Sequence, residues 1–282
     1  MSTISANAAT IPSNARSAGV ARSAYRPAVA PAITGGIPRF LAVATRWFYS
    51  FAGVVMLACV VIGFQQFYFH GRAYPARPIT PPIRLLVIAH GISMSAWIVL
   101  IVVQPLLVAL KKRRVHMMVG RVGSSLALAI LVLGVMVGVQ SARVMPPDAR
   151  IMGFDAKQFL AVPLLSVLCF AALVAAAIWQ RRTPALHRAM MLSATLVTLS
   201  AALNRIDTIN NLYVGTVWDR LFGPFFAAVV LGAVLLAIRC VLIRAFDKWL
   251  GLGVGLVTLF SMFVVSIAKT EAWFGFASLL VP

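Results

Sequence analysis

Seven long apolar segments, set apart by short connections, occupy most of residues 47–268. Each is long enough to cross roughly 30 Å of hydrocarbon. A bilayer core supplies no water to unpaired backbone groups, so each crossing must be a helix or a strand of a closed barrel. Barrel strands would alternate polar and apolar residues over about ten positions, whereas 99–108 and 126–139 are apolar on every side. The sequence therefore predicts an all-α fold, a polytopic transmembrane helical bundle of about seven spans. Spans at 47–67, 85–110, 118–140, 159–180, 187–206, 221–242 and 249–268 leave no room in 282 residues for a separate soluble domain.

Three regions follow. Residues 1–38 are rich in Ala, Ser and Arg and carry no acidic side chain. That composition would suit a transit peptide, but Pro27, Pro31 and Pro38 break any amphipathic helix. A disordered basic cytoplasmic tail is expected instead. Residues 39–268 form the bundle. Residues 269–282, with Trp273, Phe274 and Phe276, are expected to make an interfacial C-terminal segment.

The formal net charge is +19, yet the basic residues sit in the gaps between apolar runs instead of on one soluble face. This excludes nucleic acid as the partner and points to topology and anionic lipid. Most of the 25 Lys and Arg residues fall in the tail, in 111–121, in 181–188 and in 239–248. These regions share one side, so the positive-inside rule puts the N-terminus in the cytoplasm of a multi-pass protein of the cell inner membrane. Six acidic residues, none in mid-span, remove the usual groups of a carboxylate-driven proton pump. Cys59, Cys169 and Cys240 lie in three different spans and read as small buried hydrophobes. No phosphate-binding glycine loop follows a strand.

Four histidines carry the chemical interest, and the topology sorts them into two pairs. His70 and His90 belong to the outer side, and His116 and His187 to the cytoplasmic side, at the starts of spans 3 and 5. Neutral imidazole is a common metal ligand and an axial ligand of haem iron. Two pairs at opposite depths would suit two haems. Interfacial histidines with a wet polar edge would fit the same positions. A repeat links the cytoplasmic pair: Arg113-Arg114-Val115-His116-Met117-Met118 closes one turn, and Arg181-Arg182 with His187-Arg188-Ala189-Met190-Met191 closes the next. Duplicated helical hairpins would produce it, and so would chance combined with the positive-inside rule.

Span 2 has the clearest face. His90, Met94, Trp97 and Gln104 fall on one side of a helix, and a polar Gln104 within a span should look into the bundle, for an interhelical hydrogen bond or a ligand. Span 5 is the most polar, with Ser193, Thr195, Thr198 and Ser200 leading to Asn204, Arg205, Asp207, Asn210 and Asn211. A central position is expected for it, as a solute pathway or a packing seam. Arg72, Arg77 and Arg84, in a proline-stiffened loop beside His70 and His90, could hold an anion or stand solvated on a rigid surface loop.

The run His90-Gly91-Ile92-Ser93-Met94 followed by Trp97 resembles the opening of cytochrome b561-type helices. That resemblance implies two b haems between histidine pairs drawn from alternate helices. His116 and His187 match one such pair. The partner of His90 would fall on span 4, which has no histidine, so His70 of span 1 takes its place. The chain also looks like a broad group of uncharacterised bacterial polytopic integral membrane proteins. The likeness rests on the stretch from His90 through Trp97 and Gln104 to Leu106, on His116 to Gly120, and on His187-Arg188-Ala189-Met190. The second likeness implies a bacterial membrane location and no particular reaction; the first implies a membrane electron carrier with haem b, expected to exchange with quinone or to work with a membrane protein complex. In the alternative, a small-solute transporter or accessory subunit, Gln104, Asn204, Arg205 and Asp207 would line the path or dock a partner. No catalytic residue is expected in either reading.

Overall fold

Two of the helices, those starting at Arg39 and Arg113, begin well ahead of the apolar segments that announce them. In the computed structural model, the described residues are 39–74, 77–79, 81, 83–146 and 148–281, and the expected tail over 1–38 lies outside them. Helix α1 (Arg39–Gly63) is followed by a short α2 (Gln65–His70). Next comes a small antiparallel hairpin, β1 (Arg72–Ala73) and β2 (Arg77–Pro78), with Arg72 opposite Pro78. Helices α3 (Arg84–Ala109) and α4 (Arg113–Arg143) form a first long hairpin. A second is made by α5 (Ala156–Phe159), α6 (Ala161–Trp179) and α7 (Pro184–Leu203). After α8 (Asp207–Asn210), α9 (Val217–Phe222) and a 3₁₀ turn, α10 (Phe226–Ile243) and α11 (Lys248–Ile267) form the third, and α12 (Glu271–Leu280) ends the chain.

Seven stretches are long and apolar enough to cross a bilayer. The protein is a multi-pass membrane protein with an all-α bundle. Six of its helices, α1, α3, α4, α6, α11 and α10 in that circular order, pack neighbour to neighbour around α7. The central helix has 67% of its span buried, the largest share of the seven, and its mean hydropathy of 1.3 is the lowest. Those two facts have one cause: a helix with protein on all sides can carry the hydroxyls that lipid would reject.

Small residues set the spacing around α7. Gly63 of α1 lies directly on the backbone of Ala202, and Gly253 of α11 on the side chain of Ser193, so closely that a Cβ at either glycine would collide. In lipid no hydrophobic force pulls helices together, and such close approach supplies the packing energy instead. Most of the hydroxyls of α7 are tied to the helix itself. Thr195 donates to the Met191 carbonyl, Thr198 to that of Thr195 and Ser200 to that of Val197. The polar face of span 5 is therefore a packing seam along most of its length.

Two of the few carboxylates hold helix ends. Asp155 accepts from the Gln158 N–H while the Gln158 side chain accepts from the Asp155 N–H, a reciprocal cap on α5. Asp247 caps α11 through the Leu250 N–H at 3.1 Å. The same carboxylate accepts from Arg239 at 3.2 Å in a nearly buried ion pair. Arg239 also donates to the Thr45 carbonyl and lies near the Phe48 and Tyr49 rings, which ties α10 to α1. The C-terminal segment is docked to the bundle: Trp273 of α12 is buried and donates to the Lys157 carbonyl at 2.9 Å, and Arg143 donates to that of Leu280.

Candidate functional site

At the end of the bundle that carries the basic turns, the two hairpins repeat one device. In each, the histidine in the first turn of the second helix reaches back to a carbonyl near the end of the first. His187 of α7 donates through Nδ1 to the Ala177 carbonyl of α6 at 2.8 Å. The last carbonyls of a helix lack intrahelical partners; Gln180 N–H serves that of Ala176 and Arg181 N–H that of Ile178, and the imidazole serves the one between. His116 of α4 stands likewise with Nδ1 3.3 Å from the Gln104 carbonyl of α3. Helix α4 begins at Arg113, five residues before the apolar run, and this places His116 on the helix.

The two devices face each other. The His116 and His187 rings have centroids 6.5 Å apart and planes at 84°, and both are half-buried. Deeper in the bundle the correspondence continues: Trp97 of α3 meets Phe170 of α6 edge to face at 4.8 Å. These residues lie seven positions before Gln104 and seven before Ala177. Like positions of the two hairpins thus meet at both depths.

Gln104 makes the first hairpin different. With its NH₂ turned toward α4, it donates to the His116 carbonyl at 3.2 Å and to His116 Nδ1 at 2.5 Å, and its oxygen accepts from the Gly120 N–H at 2.9 Å. The reverse orientation would set oxygen against oxygen and N–H against N–H. The interhelical hydrogen bond expected of Gln104 is thus made to backbone and imidazole together.

The other predicted residues lie elsewhere. Trp97 is buried and donates to Thr195 Oγ1 of α7 at 3.2 Å, and Met94 packs against the same core. His90 is half-buried near Gly134 of α4, and its Nδ1 has no hydrogen-bond partner among the described residues. His70 is exposed at the end of α2. His70 and His90 therefore stand in different surroundings, one on the surface of the bundle and one inside it. Asn204 donates to the Pro224 carbonyl at 2.6 Å and accepts from the buried Tyr213 hydroxyl at 2.8 Å, while Asn210 donates to the Asn204 carbonyl at 2.7 Å. Burial and the nearby Asp219 carboxylate push the Tyr213 phenol up to about 12. Arg205 lies over the Phe64 ring and donates to the Ala201 carbonyl. Asp207 accepts from the Tyr74 hydroxyl at 2.5 Å, which raises the Tyr74 phenol. Of the loop arginines, the side chain of Arg77 lies outside the described residues.

Sequence reasoning placed His116, His187, Trp97 and Gln104 in one interior but missed what holds them. A side chain reaching a backbone carbonyl leaves no periodic trace. The Arg239–Asp247 pair was also missed, since both residues read as turn charges. Among the described residues no group of three or more His, Cys, Asp or Glu could hold a metal ion; the candidate site rests on two imidazoles. No protein-family model, curated protein or solved structure matches the chain.

Proposed function

We propose that the protein is an inner-membrane electron carrier whose cytoplasmic end holds a b-type haem between His116 and His187. One observation carries the reading: perpendicular imidazoles from spans 3 and 5 stand 6.5 Å apart, centre to centre. Two imidazoles sharing one metal ion through bonds of about 2.0 Å have ring centres roughly 6 Å apart. Metal-bound histidines also characteristically engage a backbone carbonyl through the other ring nitrogen, which fixes ring orientation. Both Nδ1 atoms lie near such carbonyls, so Nε2 would be the ligating atom on each ring once the haem is bound.

The haem, when bound, supplies one-electron chemistry. The chain's own contribution is to hold the two rings on separate hairpins, which are packed together deeper in the bundle through Trp97 and Phe170. The basic turns, Lys111 to Arg114 and Arg181 to Arg188, offer partners for acidic side groups and set the cytoplasmic orientation. The electron partner in this reading is a lipid-soluble quinone or a neighbouring membrane complex. The transporter alternative draws less support, because the polar groups of Asn204, Arg205 and Asp207 are engaged within the protein.

Absorption spectra of the detergent-purified full chain, oxidised and dithionite-reduced, test the reading. A sharp reduced α-band with near-stoichiometric haem is expected, lost when His116 and His187 are both alanine. A colourless protein that also fails to take up added haemin overturns it.

A further inference from the structure

Resting on that reading, we infer that Gln104 governs loading of the His116–His187 pair by holding His116 in the tautomer that cannot ligate. The two rings are not chemically equivalent in the geometry described. A carbonyl oxygen only accepts, so His187 Nδ1 carries its proton toward Ala177 and leaves a lone pair on Nε2. His116 Nδ1 faces the Gln104 NH₂ at 2.5 Å, and an NH₂ group only donates. His116 Nδ1 is therefore the acceptor, and the ring proton sits on Nε2, where a ligand bond would have to form. The unloaded site offers one N–H and one lone pair.

The rest of the Gln104 amide is fixed by α4. Its oxygen takes the Gly120 N–H at 2.9 Å and its nitrogen gives to the His116 carbonyl at 3.2 Å, so turning the amide over breaks two contacts at the start of that helix. The ligating tautomer has a partner ready in the Gln104 main-chain carbonyl, 3.3 Å from His116 Nδ1. Loading moves the ring proton from Nε2 to Nδ1, and the side-chain amide either withdraws or turns. Gln104 is a positioning residue that works against occupancy, and its removal should strengthen binding.

The first test needs no haem. Full-length protein labelled with ¹⁵N-histidine, in detergent, reports the tautomer of each ring from its nitrogen shifts, with signals assigned by single His116→Ala and His187→Ala variants. Wild type should show His187 protonated at Nδ1 and His116 at Nε2. Gln104→Met, which removes the donor at similar volume, and Gln104→Glu, which replaces it with an acceptor, should both move the His116 proton to Nδ1. Finding His116 protonated at Nδ1 in the wild type, or unmoved in both variants, overturns the inference. Haemin titration is the second test. Gln104→Met should bind roughly three- to tenfold more tightly than wild type, the worth of one competing hydrogen bond, and weaker binding counts against the inference. Failure of all three proteins to bind haemin, with the tautomers as expected, would remove the haem reading and the loading role with it, and leave only the hold of Gln104 on the His116 tautomer.

Discussion

The two ends of α7 are built from similar polar material and do opposite things. At its C-terminal end Asn204, Asn210 and Tyr213 bond to one another and to the Pro224 carbonyl, and Tyr213 is 2% exposed. At its N-terminal end His187 commits one nitrogen to Ala177 and turns the ring toward His116. A polar cluster that satisfies itself fixes a loop against the bundle; a cluster that stops one bond short can take a ligand. The number of polar residues does not separate the two cases, since span 5 is rich in them throughout.

That contrast can be broken most severely at the histidines. Replacing His116 and His187 together should lower haemin affinity by more than about 100-fold, beyond what loss of a supporting contact alone produces, while Asn204→Ala leaves the spectrum unchanged. Equal loss in both variants would mean that the two ends are not functionally distinct. Next in size is Asp247→Ala, which strands the nearly buried Arg239 and removes the cap of α11. Breaking a buried pair by removing one partner costs about 3–5 kcal/mol, read as a large fall in thermal stability with near-normal haemin uptake by whatever protein remains folded.

The C-terminal cluster comes third. Asn204→Ala should cost about 1–3 kcal/mol through the buried groups it leaves unpartnered. The same cluster has a pH signature. Tyr213 keeps its proton up to about 12 in the fold, whereas an exposed tyrosine releases it near about 10. The unfolded chain therefore binds fewer protons between those values, and stability falls as pH rises through that window. Tyr213→Phe should lose this share of the alkaline fall; an identical pH profile in the variant would deny Tyr213 the role. Smallest is Lys111→Gly at the turn between α3 and α4. Lys111 has φ of 61°, a conformation that glycine adopts freely, so the change should stabilise by up to about 1 kcal/mol without altering the tautomer of His116.

Hydropathy made the bundle legible because lipid demands an unbroken apolar run, and all seven spans are where such runs lie. It located the hydrocarbon, however, and not the ends of the helices. Helix α4 starts at Arg113 because arginine and lysine stems extend a helix beyond the apolar zone, so a start at 118 misses the turn that holds His116. Helix α1 likewise begins at Arg39, ahead of the run at 47. The single face of α3 was readable from spacing, and Trp97 and Gln104 do point inward. The partner of Gln104 was not readable: Gly120 and the His116 carbonyl are backbone groups, which every residue possesses. The Arg239–Asp247 pair escaped for a related reason, since a turn that folds two charges together looks in sequence like one that exposes them.

The central place of α7 has a consequence for how the chain is made. Of the seven spans it is the least able to remain in lipid unaided, with the lowest mean hydropathy, and two of the helices that enclose it, α10 and α11, are synthesised after it. As each span leaves the ribosome and enters the membrane, α7 must wait beside α1, α3 and α6 with its Gly253-facing flank, Ser193 included, still uncovered. A nascent chain halted before α11 would present that flank to lipid or to quality-control proteases. The last hairpin thus completes the enclosure of α7 and, with it, the commitment of the whole chain to its final form.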